Sequence, residues 1–527
     1  MRSDIIRRIE LIAAIFLSLL ALLFLTIRAT HAGGLWRDEC DTVATATLPF
    51  SELLRYFQFD SFPLPFILAL RGYIAVGGNG DTSLHVFGAL VGISLLLVGW
   101  WSARCLRGNA PLVFLTLAAL NPTFFTWGTT VRGYGIGSVM IVFAFAATAN
   151  LLAHRTIQTA FLMTIAFVAA VQCLVSNTVL VFAISLGAIG VCFLRGDRKT
   201  AVVIAGALGV AALSFLPYVA TYFRMGWHVL LQANVSLAAL WQTFRDSLSA
   251  HNSATALAWL AFALVAAIPW IMRLSKGPIS SLSTFAILAT LFSLAGGCIF
   301  FKLLRYLPND WYFLPFVCLL AAALELFISN STRSSAIRVI RVGICVVTVA
   351  ATWWSNWPAL IARQSNIKFI ANYLNSQAQA GDLVIVNPWF FGVSFNRYYR
   401  GNAPWVTLPI LNDRRIHRYD LLQEKMSEED PLKDLMPTIE RTLRKGGRIY
   451  LVGCAHWLQE GEHPVVLPPA PQSHYGWNFL PYLIEWSEEI AEFLLAHVQT
   501  GATLPQFGDH INPDEDVQLC QVEGWHE

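Results

Sequence analysis

Residues 133–153 of this chain read GYGIGSVMIVFAFAATANLLA, a stretch that contains no charged side chain. An α-helix rises about 1.5 Å per residue, so roughly 20 apolar residues cross the hydrocarbon core of a bilayer. Further uncharged stretches occupy residues 110–131, 156–194, 201–223, 252–272 and 277–301. Backbone polar groups must pair within the chain when they lie in lipid, so we predict that these blocks are transmembrane helices.

The composition supports this interpretation, because 56% of the residues are hydrophobic, only 13% are charged and the mean hydropathy is +0.54. An ordinary soluble domain is far more polar. Dividing the longest block at residues 172–177 and adding the apolar segments 11–27, 83–102, 312–328 and 342–354 gives about 11 spans. The predicted fold class is therefore a polytopic α-helical membrane protein. An alternative interpretation of the first span is a signal peptide.

Lys and Arg residues between the predicted spans fall mainly in alternate loops, and short loops of this kind are typically cytoplasmic. They are Arg2, Arg7, Arg8, Arg104, Arg107, Arg155, Arg195, Arg198, Lys199, Arg273, Lys276, Arg333, Arg338 and Arg341. An odd number of spans then places the C-terminal segment in the periplasm or an equivalent lumen. We predict a bacterial inner-membrane protein with a cytoplasmic N-terminus. The net charge of +3 follows from this topology, so we expect no nucleic-acid partner.

The last third of the chain has short apolar runs between polar turns, which predicts a separate folded domain. Two units with a helix, a glycine turn and a strand are typical of a small α/β domain. The predicted helices are residues 367–378, 436–443 and 488–497, and the predicted strands are residues 383–386 and 448–452. We therefore expect a transmembrane domain at residues 1–354 and an extracytoplasmic α/β domain at residues 355–527. The compartment permits a disulfide between Cys454 and Cys520.

Acidic residues occur at two outward positions near the first predicted spans. Asp38 and Glu39 end the segment Gly-Gly-Leu-Trp-Arg-Asp-Glu at residues 33–39, and Asp60 precedes a segment punctuated by Pro63 and Pro65. Carboxylates can activate a hydroxyl by accepting its proton. The alternatives are a solvated loop end beside an interfacial tryptophan and, at Asp60, a simple turn.

Cations also lie on the predicted outer side, where the positive-inside tendency disfavours them. Arg132 and Tyr134 stand between two uncharged blocks, and Lys302, Arg305 and Tyr306 follow the ninth predicted span. An anionic partner such as a phosphate explains this placement, because Arg and Lys form charge-assisted hydrogen bonds with it. For Arg132, a cation that reaches from the membrane to the interface is the alternative. Carboxylates and cations together suit the transfer of a sugar from a lipid phosphate to an acceptor hydroxyl.

The order of these motifs resembles the GT-C superfamily of integral membrane glycosyltransferases, particularly glycosyltransferase family 39 and its bacterial relatives. That group includes protein O-mannosyltransferases and the lipid A aminoarabinose transferase. The resemblance rests on residues 35–39, on Asp60 with Pro63 and Pro65, on Asn121-Pro122 before residues 132–134, and on Arg305-Tyr306. The chain departs from the family pattern where Leu64 separates the prolines and where Gly133 replaces a proline.

The resemblance implies that Asp38 is the leading catalytic carboxylate, with support from Glu39 and a second acidic group at Asp60. Contact with the lipid phosphate is implied for Arg132, Tyr134, Arg305 and Tyr306, and the outward placement of Lys302 makes it a further predicted phosphate contact. The implied donor is a polyprenyl-phosphate sugar at the membrane lipid, and the acceptor is an envelope glycan such as lipopolysaccharide, a glycolipid or a protein. The use of a divalent metal differs within the superfamily and is left open.

Three other function classes compete with this interpretation. A transporter or lipid flippase would place ionisable residues near the bilayer midplane, whereas the predicted spans carry few charges and Glu325 is the exception. A glycan ligase would use similar lipid-phosphate chemistry with a different order of motifs. A receptor or scaffold would leave the outward Asp38, Arg132 and Arg305 unexplained.

Overall fold

The structure is a computed structural model that describes residues 2–56, 62–105, 110–224, 230–231, 234–274, 280–331 and 335–527. The chain divides into two compact units. The helical unit comprises Met1–His31, Ser61–Phe223 and Ala233–Ile361, and the α/β unit comprises Ala32–Asp60, Arg224–Gln232 and Ala362–Glu527. The segment that follows the first helix thus belongs with the C-terminal residues, which differs from the expected division after residue 354.

The helices up to Ile361 account for most of the chain. In chain order they are α1 (Arg2–His31), α2 (Arg37–Thr47), α3 (Phe50–Tyr56), α4 (Leu64–Gly77), α5 (Asp81–Cys105), α6 (Gly133–His154), α7 (Ile157–Cys173), α8 (Asn177–Leu194), α9 (Arg198–Arg224), α10 (Leu237–Ser249), α11 (Ser253–Leu274), α12 (Ser281–Leu304), α13 (Leu314–Ser331) and α14 (Ser335–Ile361). Helices α2 and α3 belong to the α/β unit.

Within the described part of the chain, eight helices are long and apolar enough to cross a membrane, namely α1, α5, α6, α8, α9, α12, α13 and α14. The chain is an integral membrane protein. Helices α10 and α11 form a ninth candidate, bent by 93° where Ala250 and His251 adopt positive φ. Helix α7 has 17 residues and belongs to the shorter apolar helices. These elements correspond to ten of the predicted spans.

The remaining predicted span, residues 110–131, is not one regular helix. It contains the helical turn Leu112–Phe114 and two π-helical segments, Leu115–Ala119 and Phe124–Gly128. Between them, Pro122 lacks a backbone N–H and disfavours the α conformation at Asn121. The side chain of the buried Asn121 donates through Nδ2 to the carbonyl oxygen of Leu248 at 3.1 Å. The prediction of one regular transmembrane helix here is wrong, because apolar composition does not predict the broken backbone.

An ion-pair cluster lies inside the helical unit. The sequence analysis expected few charged residues in the spans and named Glu325 as the exception. Arg341 donates to Glu325 at 2.8 Å, and Arg338 donates through Nε to Glu10 at 2.9 Å. Glu325 also accepts from the backbone N–H of Val113 at 2.8 Å. Buried charges need such partners. Arg338 and Arg341, which the sequence analysis counted among the loop charges, are therefore paired residues of α14.

The α/β unit contains a five-stranded sheet. Its C-terminal elements are α15 (Ile367–Gln377), β1 (Leu383–Val386), α16 (Gly392–Tyr398), β2 (Trp405–Thr407), α17 (Tyr419–Met426), α18 (Met436–Arg444), β3 (Ile449–Val452), α19 (Leu480–His497), β4 (Thr500–Thr503) and β5 (Leu519–Glu523). The strand order is β2-β1-β3-β5-β4, with β1 parallel to β2 and β3, and β5 antiparallel to β3 and β4.

The predicted strands at residues 383–386 and 448–452 are confirmed as β1 and β3, which are fully buried. The predicted helices are also confirmed, although α19 begins at Leu480, eight residues before the predicted start at 488. Strand β4 was not predicted because its Thr-Gly-Ala-Thr sequence is exposed throughout and has no apolar pattern. Cys454 and Cys520 form the permitted disulfide, with their Cα atoms 5.7 Å apart.

Candidate active site

The first part of the candidate site is the N-terminal turn of α2, which carries two predicted catalytic carboxylates. Asp38 is partly exposed, with 23% of its side-chain surface accessible, and its Oδ1 lies 3.6 Å from Nε of Arg37. Glu39 is 1% exposed, and its Oε2 accepts from the backbone N–H of Trp36 at 3.3 Å. This bond satisfies a donor at the start of the helix. Glu39 therefore supports the turn, and Asp38 is the carboxylate that solvent reaches.

Residues 32–41 are tied to the C-terminal part of the same unit. Gly33 has a φ of +75°, a conformation that glycine adopts readily, and a Cβ on Gly34 would lie 2.9 Å from Cβ of Lys368. Two backbone N–H groups of this segment donate to side chains of the C-terminal part, Leu35 to Tyr398 Oη at 2.7 Å and Arg37 to Glu515 Oε2 at 2.9 Å. In the other direction, the backbone N–H of Gln364 donates to Ala32 O at 2.8 Å, and that of His417 donates to Asp41 Oδ1 at 2.7 Å. These bonds fix the position of the turn that carries Asp38.

Two further acidic residues, Asp514 and Glu515, interact with this turn. Burial raises the pKa of Glu515, Arg37 opposes this shift and Asp38 adds to it, with a net value of about 8. Burial also raises the pKa of Asp514, with the same opposing effect of Arg37. The guanidinium of Arg37 lies 4.6 Å from the ring centre of Phe390. The turn thus combines one accessible carboxylate with an arginine and buried acids.

A separate group of predicted site residues lies in the helical unit, at the start of α6. Arg132 precedes the helix, is buried, and places its guanidinium 4.4 Å from the ring centre of Phe62. The ring of Tyr134 lies 5.5 Å from that of Phe62. A Cβ on Gly133 would lie 2.5 Å from Cδ1 of Phe62 and 2.6 Å from the carbonyl oxygen of Cys173. Close packing therefore explains why glycine stands between Arg132 and Tyr134.

Tyr312 packs against both tyrosines that were predicted to contact the phosphate, Tyr134 and Tyr306. Its ring centre lies 5.2 Å from that of Tyr134 and 5.5 Å from that of Tyr306, and its hydroxyl lies 3.3 Å from the Tyr306 hydroxyl. We call Arg132, Tyr134, Tyr306 and Tyr312 the tyrosine cluster. Tyr312 was not predicted, and the available signal was an aromatic residue shortly after Arg305-Tyr306.

The two remaining predicted cations end α12. Lys302 donates through Nζ to the carbonyl oxygen of Val235 at 2.6 Å. Arg305 is exposed and has a φ of +51°, so it closes the helix in the left-handed conformation. The backbone turn therefore presents the Arg305 guanidinium to the surroundings, while Lys302 braces a neighbouring loop.

Comparisons with known proteins bear on the fold. No family model and no curated protein matches the sequence. Among solved structures, ArnT from Cupriavidus metallidurans bound to undecaprenyl phosphate has a TM-score of 0.51 and 9% identity, covering 83% of this chain and 92% of ArnT. The chain therefore shares the fold of ArnT. The arabinofuranosyltransferase AftD from Mycobacteria has a TM-score of 0.44 and 14% identity, and this chain spans only 40% of its length.

The shared fold leaves the roles of individual residues as predictions. Asp60 lies outside the described residues. Metal ligation was left open, and no group of three or more His, Cys, Asp or Glu side chains in the described ranges is arranged to hold a metal ion. The structure brings Asp38 and Glu39 together on α2, and it brings Tyr134 and Tyr306 together through Tyr312.

Proposed function

We propose that the protein is a membrane glycosyltransferase that moves a sugar from a polyprenyl-phosphate donor to an acceptor hydroxyl on the extracytoplasmic face. The observation that carries this proposal is the fold it shares with ArnT, a protein solved with undecaprenyl phosphate bound. The disulfide between Cys454 and Cys520 supports the orientation, because disulfides persist in oxidising compartments such as the periplasm.

In the proposed reaction, the acceptor oxygen attacks the anomeric carbon of the sugar and the bond from that carbon to the phosphate oxygen breaks. Asp38 accepts the proton of the acceptor hydroxyl, which makes the oxygen a better nucleophile. The lipid phosphate leaves as an anion. Its charge is stabilised by the guanidinium groups of Arg132 and Arg305 and by the ammonium of Lys302.

Tyr134 and Tyr306 would donate hydrogen bonds from their hydroxyls to the phosphate oxygens. Their contacts with Tyr312 support this role, since tilted ring contacts restrain the direction of the hydroxyls. Arg132 over Phe62 is likewise restrained by a cation–π contact. The acceptor in this proposal is an envelope glycan, a glycolipid or a protein.

The test is sugar transfer by the purified full-length protein in lipid nanodiscs. Synthetic polyprenyl-phosphate sugars serve as donors and envelope lipid extract serves as acceptor. We expect equal transfer rates for the wild type and Glu52→Gln, and a rate lower by roughly 10² to 10⁴ for Asp38→Asn. Glu52 is a matched control because it lies in the same segment, is solvent-accessible and pairs with Arg415 at 3.0 Å. The absence of transfer across a broad donor panel, with flipping of lipid in liposomes, would favour the transporter instead.

A further inference from the structure

Glu515 makes contacts that the proposed reaction does not use. Its side chain is 1% exposed, and both carboxyl oxygens accept from the backbone N–H of Arg37, at 2.9 and 3.2 Å. Ser394 donates through Oγ to Glu515 Oε1 at 2.9 Å. Arg37 is the first residue of α2 and directly precedes Asp38. A buried carboxyl from the end of the chain therefore sits against the turn that carries the proposed base.

The segment around Glu515 is itself firmly held. The Asn366 side chain accepts from the backbone N–H of Val517 at 3.0 Å and donates to the Val517 carbonyl oxygen at 2.8 Å. The Asn512 side chain accepts from the backbone N–H of Asp514 at 3.2 Å. These bonds lie on both sides of Glu515, so they restrain the segment that carries its carboxyl.

We propose that Glu515 is a positioning residue whose carboxylate holds the N-terminal turn of α2 and thereby orients Asp38. The inference rests on the proposed function and extends it by giving the C-terminal part of the α/β unit a role in the reaction. An ionised carboxylate at a helix N-terminus accepts strong hydrogen bonds from backbone N–H groups and is favoured by the helix dipole. A protonated carboxyl accepts more weakly, so it holds the turn less firmly.

The charged groups that face Glu515 determine the pH at which this hold changes. Burial and Asp38 raise its pKa, while Arg37 and the Ser394 hydroxyl lower it, and the result is about 8. Asp514 is its neighbour in the chain, and burial raises the pKa of that carboxyl too. As the pH rises through about 8, Glu515 loses its proton and becomes the stronger acceptor. The transfer rate is expected to rise across the same range.

The first test compares pH–rate profiles of the full-length protein with its Glu515→Gln, Ser394→Ala and Asp509→Asn variants. In Glu515→Gln the rise near pH 8 should disappear and the maximal rate should fall by about tenfold. In Ser394→Ala the rise should move to higher pH, because a hydrogen bond that favours the ionised form is lost. Asp509 is exposed in the preceding loop, and Asp509→Asn should keep the wild-type profile. A merely structural role would leave the midpoint of the rise unchanged in Ser394→Ala.

The second test measures hydrogen–deuterium exchange in the peptide that covers residues 35–40, and it needs no substrate. Above about pH 8, where the wild-type carboxyl is ionised, exchange corrected for its intrinsic pH dependence should be faster in Glu515→Gln than in the wild type, and unchanged in Asp509→Asn. If the wild type transfers no sugar, the proposed function fails while the exchange result still decides whether Glu515 holds the turn. Glu515→Gln with the wild-type pH profile and wild-type exchange would overturn the inference.

Discussion

The N-terminal turn of α2 and the tyrosine cluster are held in different ways. Backbone N–H groups of the turn donate to side chains more than 300 positions away in the chain, from Leu35 to Tyr398 and from Arg37 to Glu515. Ring contacts within the helical unit fix the tyrosine cluster. Hydrogen bonds are directional and weaken steeply with angle, whereas ring contacts tolerate a range of tilts. Under the proposed function, this difference matches the two roles, because a base needs a fixed direction whereas a phosphate can be bound by a more tolerant surface.

The largest expected effect is at Asp38, the accessible carboxylate of the turn. Asp38→Asn keeps the shape of the side chain but cannot accept a proton, so the transfer rate should fall by roughly 10² to 10⁴. Initial rates with saturating donor measure this effect, and size-exclusion profiles check that the variant is folded. Full activity of a folded Asp38→Asn would mean that Asp38 is not the base and that the turn of α2 does not carry it.

A smaller effect is expected at Arg132 in the tyrosine cluster. Arg132→Ala removes a buried cation, and a hydrogen bond to a charged group contributes about 1.5–3 kcal/mol, so kcat/KM for the donor should fall by about 10- to 100-fold. The matched control is Arg155→Ala at the opposite end of α6, where Arg155 pairs with Asp197 at 3.2 Å. Equal donor kinetics for both variants would contradict phosphate binding at Arg132.

The two regions also differ in how far the sequence predicts them. The apolar pattern predicts the helix that begins at residue 133 and the buried strands, because local periodicity follows burial. The identity of Tyr312 as the partner of Tyr134 and Tyr306 depends on the packing of separate helices. The contact of Arg37 with Glu515 spans 478 positions and has no local signature. The broken segment at residues 110–131 likewise reflects tertiary bonds such as that of Asn121, which composition does not encode.

Asp41 offers a way to weaken the turn without touching the proposed base. Its Oδ1 accepts from the backbone N–H of His417 at 2.7 Å, so Asp41→Ala removes one attachment and Asp41→Asn keeps the acceptor. We expect a loss of about tenfold in rate for Asp41→Ala and little change for Asp41→Asn. Hydrogen exchange in α2 should increase in the alanine variant alone. Similar losses in both variants would mean that the charge of Asp41, rather than its hydrogen bond, matters.

The smallest effect is expected at Arg305, at the end of α12. Arg305→Lys keeps the positive charge but loses the planar fork that binds two phosphate oxygens, so the apparent KM for the donor should rise by about threefold. Both residues are L-amino acids at the same positive φ, so the change isolates the guanidinium. Arg305→Ala sets the scale, because it removes both charge and fork. If KM is unchanged in Arg305→Lys but raised in Arg305→Ala, the donor needs the positive charge at this position and not the planar guanidinium. Precise geometry would then be required only at the turn of α2. An unchanged KM in both variants would instead support a cation that merely reaches to the membrane interface.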